Sequence, residues 1–423
     1  MFYPKKNFPE FIIYYLIVFL PILLVSGPFL SDLSVSLIAI IFIFLSFKKK
    51  LYFYYNNIFS KIFGIFFLIL LLTSIFSFDP ILYLKKKIFF FRFWIFTLAI
   101  WYIFHNNKKL IHHLILSFTI IFLILIIDGY IQFFFEKNIF GWPIQGASRL
   151  SSLFKDELIL GSYLSRLLPI YFGLLVLTNF DKKIYKYILF FIVFVGIETL
   201  IFMSGERVAF FFVNASSLML IISMKNYKFF RILSIVTSVI LIFFLINLYP
   251  QSTNRIFNKT FEQLGLSDKK TNSQKYIFSM EHQNHYISAI RMFKDNKITG
   301  VGPRMFRNKC GEKKYNLFEG CSTHPHNTYI QLLAETGLIG FIFGASVFLI
   351  IIFFLIKHLI YKFIQNKVLF NDFQLCLLSA ILVSIWPFVP TGGIFNNWLN
   401  IIYFFPVGFF LNSIYNHKAS NYN

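Results

Sequence analysis

The sequence predicts an all-α polytopic membrane protein with about 12 transmembrane helices and one large outer loop. Three observations carry this. The 423-residue chain is 57% hydrophobic and only 14% charged, its apolar residues fall into long blocks, and its basic residues gather in short segments between those blocks. A soluble domain of this size needs roughly a quarter charged residues to cover its surface, so an ordinary cytosolic enzyme is excluded. Blocks of about 17 to 25 residues are what a hydrocarbon core of ~30 Å asks of a helix. Their length and lack of alternation exclude a β-barrel.

In chain order the blocks run 11–25, 33–47, 62–78, 88–104, 111–133, 158–177, 187–203, 208–222, 232–248, 338–360, 375–389 and 398–412. The first lacks a small-residue cleavage site and is followed at once by another span. It is therefore expected to stay as a helix and not to be removed as a signal peptide. The 61 Phe and 23 Tyr follow an AT-rich codon bias, so aromatic content alone argues no stacking function.

Orientation follows from Lys and Arg in the short loops. With Lys5 and Lys6 inside, strict alternation puts Lys48 to Lys50, Lys108 and Lys109, Lys182, Lys183 and Lys186, Lys225, Lys228 and Arg231, and Lys357, Lys362 and Lys367 on the cytoplasmic side. Lys85, Lys86 and Lys87 fall outside. Either one early span is misdrawn, which lysine snorkelling favours, or that patch serves an anionic partner. The net charge of +22 is read as the orientation signal and as attraction to anionic membrane lipids, with no nucleic-acid partner expected.

The organisation expected is therefore a block of N-terminal helices over 1–248 with a short outer loop near 136–157, a large outer loop over 249–325, and C-terminal helices over 326–423. The large loop is rich in Lys, Asn, Ser and Gln but contains the amphipathic run 286–293, so a partly helical cap is expected. Cys376 reads as a small core residue. Cys310 and Cys321 lie together in the outer loop, where the compartment is oxidising, and are expected to form a disulfide that stabilises by roughly 2 to 3 kcal/mol. A zinc site joining them to His282, His285 or the later histidines is disfavoured, because the Cys spacing is not that of a zinc module. No metal and no cofactor are expected.

The densest chemistry lies from Cys321 to Gly340, where His324, His326, Asn327, Gln331 and Glu335 gather at the mouth of a span. Positions 327, 331 and 335 are four apart, so a helix puts them in one polar stripe beneath the histidines. Polar groups entering an apolar span are expensive unless they face a cavity or a partner. The plainer reading is an interfacial helix whose polar side faces headgroups. Three arginines stand near the same face: Arg149 at the end of the short outer loop, Arg207 in a polar break between two spans, and Arg291 on the amphipathic run. Arginine keeps its charge and grips phosphate with two donors at once, so three of them suit a pyrophosphate. A lone arginine at a helix end, though, is usually a headgroup anchor. Gly300 and Gly302 lie in Thr-Gly-Val-Gly-Pro, which is read as a tight turn and not as a dinucleotide fingerprint.

The run His324-Pro-His326-Asn327-Thr-Tyr329-Ile-Gln331-Leu-Leu-Ala-Glu335-Thr-Gly337, preceded by Gly300-Val-Gly302-Pro and Ser204-Gly205-Glu-Arg207, resembles the O-antigen ligase and polymerase superfamily of bacterial envelope enzymes. The stretch from Arg149 to Leu164 is similar to an outer-loop motif of that superfamily, with Glu157-Leu158 in place of its usual Pro-Asn pair. The resemblance covers about residues 145–345. It implies a metal-independent glycosyltransferase of the GT-C type in the bacterial inner membrane, with a periplasmic active site. Its partners would be a glycan on undecaprenyl pyrophosphate as donor and lipid A core, or another hydroxyl, as acceptor. Carried over, the resemblance makes His326 the catalytic histidine and gives the donor pyrophosphate to Arg207 and Arg291 with help from Arg149. His324 is the alternative base, Asn327 is expected to fix a neighbour's tautomer, and Gln331 and Glu335 to support the site. A polymerase or protein O-oligosaccharyltransferase would share this donor chemistry. A transporter or flippase predicts internal repeats, and none is evident.

Overall fold

The computed structural model describes residues 8–77, 80–146, 149–178, 183–248, 256, 258–263 and 278–419. Each of the twelve apolar blocks is helical over most of its described length: α1 (Phe8–Val25), α2 (Pro28–Lys49), α3 (Ile58–Ile75), α5 (Phe91–Asn106), α6 (Leu110–Phe135), α7 (Leu160–Leu177), α8 (Lys183–Met203), α9 (Arg207–Ser223), α10 (Lys228–Leu248), α14 (Thr328–Ile364), α15 (Asp372–Ser384) and α16 (Asn397–Ala419). Shorter helices are α4 (Pro80–Ile88), α11 (Lys259–Gln263), α12 (Met280–Asp295) and α13 (Phe306–Lys309). Nine helices among the described residues are long and apolar enough to cross a membrane. The protein is thus an all-helical, multi-pass membrane protein.

The remaining apolar helices, α5, α9 and α15, have 16, 17 and 13 residues. At 1.5 Å per residue α15 rises only ~20 Å, short of a hydrocarbon core. The span expected over 375–389 therefore ends at Ser384, and the chain leaves the helix as an irregular segment, 385–396. Trp-Pro-Phe-Val-Pro-Thr-Gly-Gly in that segment explains the early stop, since the prolines lack the N–H a helix needs.

Two helices form the centre. α7 is buried along nearly its whole length and packs on α6, α8, α9 and α15, while α5 is buried from Ile95 to Phe104 and packs on α2 and α16. The rim is apolar outward, as lipid requires: Val236, Val239, Ile240 and Phe243 on α10, and Ile342, Leu349 and Phe353 on α14, are all exposed. The free carbonyls at the end of α1 are taken by long polar side chains, with Tyr163 Oη donating to Pro21 O (2.6 Å) and Trp398 Nε1 to Leu24 O (2.9 Å).

At the opposite end of the bundle, cations close the helix C-termini. Lys362 Nζ donates to Ser223 O (3.0 Å) and Met224 O (2.9 Å), and Lys186 Nζ to Thr178 O (2.9 Å). Asp372 accepts from the Lys225 and Asn226 amides at 2.9 and 3.1 Å. Of the lysine patch at 85–87, Lys87 is not part of this end. Lys87 is buried, with its ammonium 3.7 Å from the centre of the Phe395 ring and in electrostatic contact with Glu335. The reading of a misdrawn early span is corrected: α4 is a short helix inserted between α3 and α5 on the side of the His motif.

Candidate functional site

The His motif is built from three segments distant in sequence. α14 begins at Thr328, capped by Asn327, whose Oδ1 accepts from the Tyr329 and Ile330 amides at 3.0 and 3.1 Å. Immediately before the cap, His326 has φ 54°, a left-handed backbone uncommon outside glycine. The segment 385–396 holds that turn: Thr391 N donates to His326 O (2.7 Å), and Asn327 Nδ2 donates to Pro387 O (2.8 Å). Asn327 is therefore committed at both ends of its amide. The expectation that it fixes a histidine tautomer is corrected.

α12 supplies two further histidines. Its N-cap Ser279 accepts from the His282 amide (3.2 Å) and its Oγ lies 2.6 Å from His282 Nδ1. One turn on, His285 is buried against α14. The four imidazoles form one cluster, with the His326 ring centre 5.2 Å from His282, 5.1 Å from His285 and 4.2 Å from His324. Burial, reinforced by the neighbouring histidines, pushes His326 down to about 3 and His324 to about 4. His282 and His285 are lowered by burial as well. All four are thus uncharged near neutral pH.

Their hydrogen bonds separate them. His324 Nε2 faces Thr391 O (3.3 Å) and must carry the hydrogen, while Nδ1 lies 2.9 Å from Thr323 Oγ1 and accepts from it. Both of its nitrogens are engaged. The His326 ring makes no hydrogen bond among the described residues. Gly393 lets the loop approach His324, because a Cβ there would sit 3.2 Å from His324 Cγ.

The polar stripe beneath the histidines exists but is used up by the backbone of the large loop and of the 385–396 segment. Gln331 Nε2 donates to Glu335 Oε2 (2.9 Å), Gln331 Oε1 accepts from Ile394 N (3.0 Å), and Glu335 Oε1 accepts from Phe306 N (2.9 Å). Val301 and Gly302 donate their amides to Ala334 O and Glu335 O at 2.9 and 3.0 Å. The two backbones meet here, so Gly300 (φ 67°) has no room for a Cβ, which would lie 2.5 Å from the Thr336 nitrogen. Gly337 (φ 65°) kinks α14 against Ile298 in the same contact. The Gly-Val-Gly turn thus docks the large loop onto α14, and Gln331 and Glu335 pin it.

Cys310 and Cys321 are joined, with Cα atoms 5.0 Å apart, and the loop they close is tied to α12 through Ser288 Oγ to Tyr315 O (2.9 Å) and Asn284 Nδ2 to Phe318 O (2.8 Å). The disulfide removes both sulfurs from any metal. Among the described residues no group of three His, Cys, Asp or Glu side chains is arranged to hold a metal ion.

Cations border the cluster on the α7–α9 side. Glu206 is buried and accepts from the first amides of α7, Gly161 N at 2.8 Å and Ser162 N at 3.3 Å, while interacting with Arg149 and Arg166. Burial raises its carboxyl, and the Gly161 amide and Arg149 oppose that rise. Arg149 and Arg207 repel one another, and Arg207 also acts on His282. Arg207 Nη1 reaches Thr260 Oγ1 on α11 at 3.3 Å. Arg207 is thus brought within electrostatic reach of His282, with Arg149 acting on Arg207. Arg291 is not. It lies exposed on α12, nine residues from His282, which on a helix is half a turn away. Sequence reasoning used His282 and His285 only as zinc candidates and missed Arg166, Arg304 and Arg307. It also missed the 385–396 segment, whose signal was its density of Pro and Gly.

Residues 188–345 match the family model described as O-antigen ligase. The match runs from early in α8 past the kink in α14 and contains Arg207, the Gly-Val-Gly turn and all four clustered histidines. It supports the O-antigen ligase and polymerase superfamily for this chain, and an enzyme of the glycan-transferring kind. No curated protein matches the chain.

Proposed function

We propose that the protein is an O-antigen ligase-like glycosyltransferase that moves a glycan from undecaprenyl pyrophosphate to a hydroxyl acceptor, lipid A core in the first reading, on the periplasmic face of the bacterial inner membrane. The observation that carries it is the unbonded, uncharged His326 imidazole packed on His282, on which Arg207 acts, with Arg149 acting on Arg207 in turn. Loss of a lipid pyrophosphate from an anomeric carbon builds negative charge on phosphate oxygens, and fixed guanidinium groups stabilise that charge without reorganising. The attacking hydroxyl loses its proton as the new glycosidic bond forms, and a neutral imidazole with a free lone pair can take it. Both nitrogens of His324 are already occupied, so it is the poorer base.

In this reading catalysis is metal-independent and of the GT-C type, α5, α9 and α15 complete a twelve-helix topology, and 249–325 caps the glycan. Exposed Phe211 near the Arg207 end of α9 and exposed Phe388 on the 385–396 segment suit a lipid tail. A polymerase or a protein O-oligosaccharyltransferase uses the same donor half and differs only in acceptor.

The test is the envelope glycolipid profile of a strain lacking the gene, run beside its extracted lipid-linked glycans. Bare lipid A core with accumulated long lipid-linked polymer is the expected result. Core bearing a single repeat unit would make the enzyme a polymerase instead. An unchanged profile, with no transfer to core by the purified protein, would overturn both.

A further inference from the structure

A second pair of cations reaches the histidine cluster through Arg307. The segment that docks on Glu335 carries Arg304 and Arg307 on either side of Phe306. The Phe306 ring centre lies 6.5 Å from that of His285, and its amide is fixed to Glu335 Oε1 at 2.9 Å. Arg307 acts electrostatically on His324 and Arg304, and Arg304 acts with Glu335 and Arg92. Arg207 instead acts on His282. Arg207 thus acts at His282 and Arg307 at His324, two imidazoles whose ring centres lie 5.2 and 4.2 Å from that of His326.

The counter-charge that acts on Arg304 is Glu335, whose oxygens are already bonded. Asp32 is paired with Arg92 (2.6 Å), Glu312 with Lys309 (2.7 Å), and Asp295 with Lys314 (2.8 Å) and Tyr315 (2.7 Å). Glu335 spends its oxygens on Phe306 N and Gln331 Nε2 and faces buried Lys87 as well. Neither the Arg304 nor the Arg307 guanidinium has a hydrogen-bond or ion-pair partner among the described residues. Arg304 is half-buried, so burial and the like charge of Arg307 both oppose its ionisation. Arginine does not give up its proton under such pressure, so it instead recruits an anion.

We propose that Arg304 and Arg307 form an acceptor subsite for an anionic group, a phosphate or a carboxylate, carried by the acceptor glycan near its attacking hydroxyl. The donor diphosphate occupies the Arg149–Arg207 end, the acceptor anion the Arg304–Arg307 end, and His326 lies between them where the hydroxyl meets the anomeric carbon. This rests on the transferase reading above and names the substrate class that reading leaves open. A neutral acceptor, or a polymer end without acidic sugars, would leave the second end unfilled.

The test is binding, not turnover, so it fails independently of the transferase reading. Affinities of the detergent-solubilised full chain are measured for a lipid-anchored oligosaccharide bearing a phosphate monoester, for the same molecule after phosphatase treatment, and for a uronate-bearing analogue. Removing one charge-assisted hydrogen bond changes affinity by roughly tenfold. The wild type is expected to prefer either anionic probe by at least that factor. Arg307→Gln, at an exposed position with little bearing on folding, should bring the preference close to one, as should Arg304→Gln, with Arg304→Lys restoring part of it. A lipid pyrophosphate probe should bind these variants as it binds the wild type. Equal affinity of the wild type for charged and uncharged probes would overturn the subsite, as would an undiminished preference in Arg307→Gln and Arg304→Gln. Absence of glycan transfer by a wild type that does discriminate between the probes would overturn the transferase reading alone.

Discussion

Two histidines stand at the two ends of α14, and their surroundings differ. His358 is fully buried near the helix C-terminus, with Nε2 3.1 Å from Ser223 O and Nδ1 accepting from Phe370 N at 3.2 Å. His326 precedes the N-terminus, is held by its backbone, and leaves its ring unbonded among three other imidazoles. His358 is fully buried and His326 half-buried. The difference is that the polar atoms of one ring are consumed by the fold, while the fold spends hydrogen bonds around the other without using it. Glu335 and Glu206 fall with His358 on this criterion, since each carboxylate is filled by backbone amides.

The sharpest break of that contrast is a pair of substitutions. His326→Ala should lower glycan transfer by about 10²- to 10⁴-fold, the range for losing a general base, with lipid-linked donor still bound. His358→Gln should leave turnover near wild type and lower thermal stability. If His326→Ala formed product at full rate, the assignment of the base would be wrong. Turnover abolished in both variants, each folded, would mean that an unbonded ring is no guide to chemistry here.

Next in size is Arg207→Gln, expected to cut transfer by about 10²- to 10³-fold, as removing a fixed charge stabiliser does, with Arg207→Lys partly active. Arg291→Gln, half a helical turn away from the cluster, should change transfer by less than threefold. These two measurements of transfer rate separate the arginine that the fold delivers from the one that it turns away.

The disulfide gives a smaller effect through stability. Replacing Cys310 and Cys321 together by Ser should remove roughly 2 to 3 kcal/mol, read as a lower midpoint of thermal unfolding. Transfer should fall mainly at higher temperature. The loop it closes is also held by Ser288 and Asn284, so α12 stays docked without it.

How much of this was legible beforehand depends on the range of the interaction. The apolar blocks were readable because the bilayer acts on each helix separately, by length and composition. His324, His326, Arg149 and Arg207 stood out because few reasons exist for such groups at the mouth of an apolar span. Arg291 was misjudged because its direction depends on which face of α12 packs on α14, and that is set by His285, Ala289 and Met292. The fourfold spacing of Asn327, Gln331 and Glu335 was read correctly as a helix face. Its use was not, because the groups that fill it come from 301–306 and 387–394, tens of residues away in sequence. Lys87 was misread for the same reason, its partners being Phe395 and Glu335.

The smallest effect is in pH, and its sign follows from the same cluster. Folding lowers His326 to about 3 and His324 to about 4, whereas in the unfolded chain both titrate near 6.5. Between these values the unfolded chain binds more protons than the native one, so acid favours unfolding. The cluster therefore leaves stability at its full value above about pH 6.5 and erodes it progressively as pH falls toward 4. Transfer by the folded enzyme should hold through pH 6, where an ordinary histidine base would already be largely protonated, and fall only in stronger acid. Thermal midpoints and transfer rates over pH 4 to 8 check both halves. A transfer profile that halves near pH 6.5 would mean that the base sits in water, and that the four imidazoles are not the dry cluster that distinguishes this end of α14 from the other.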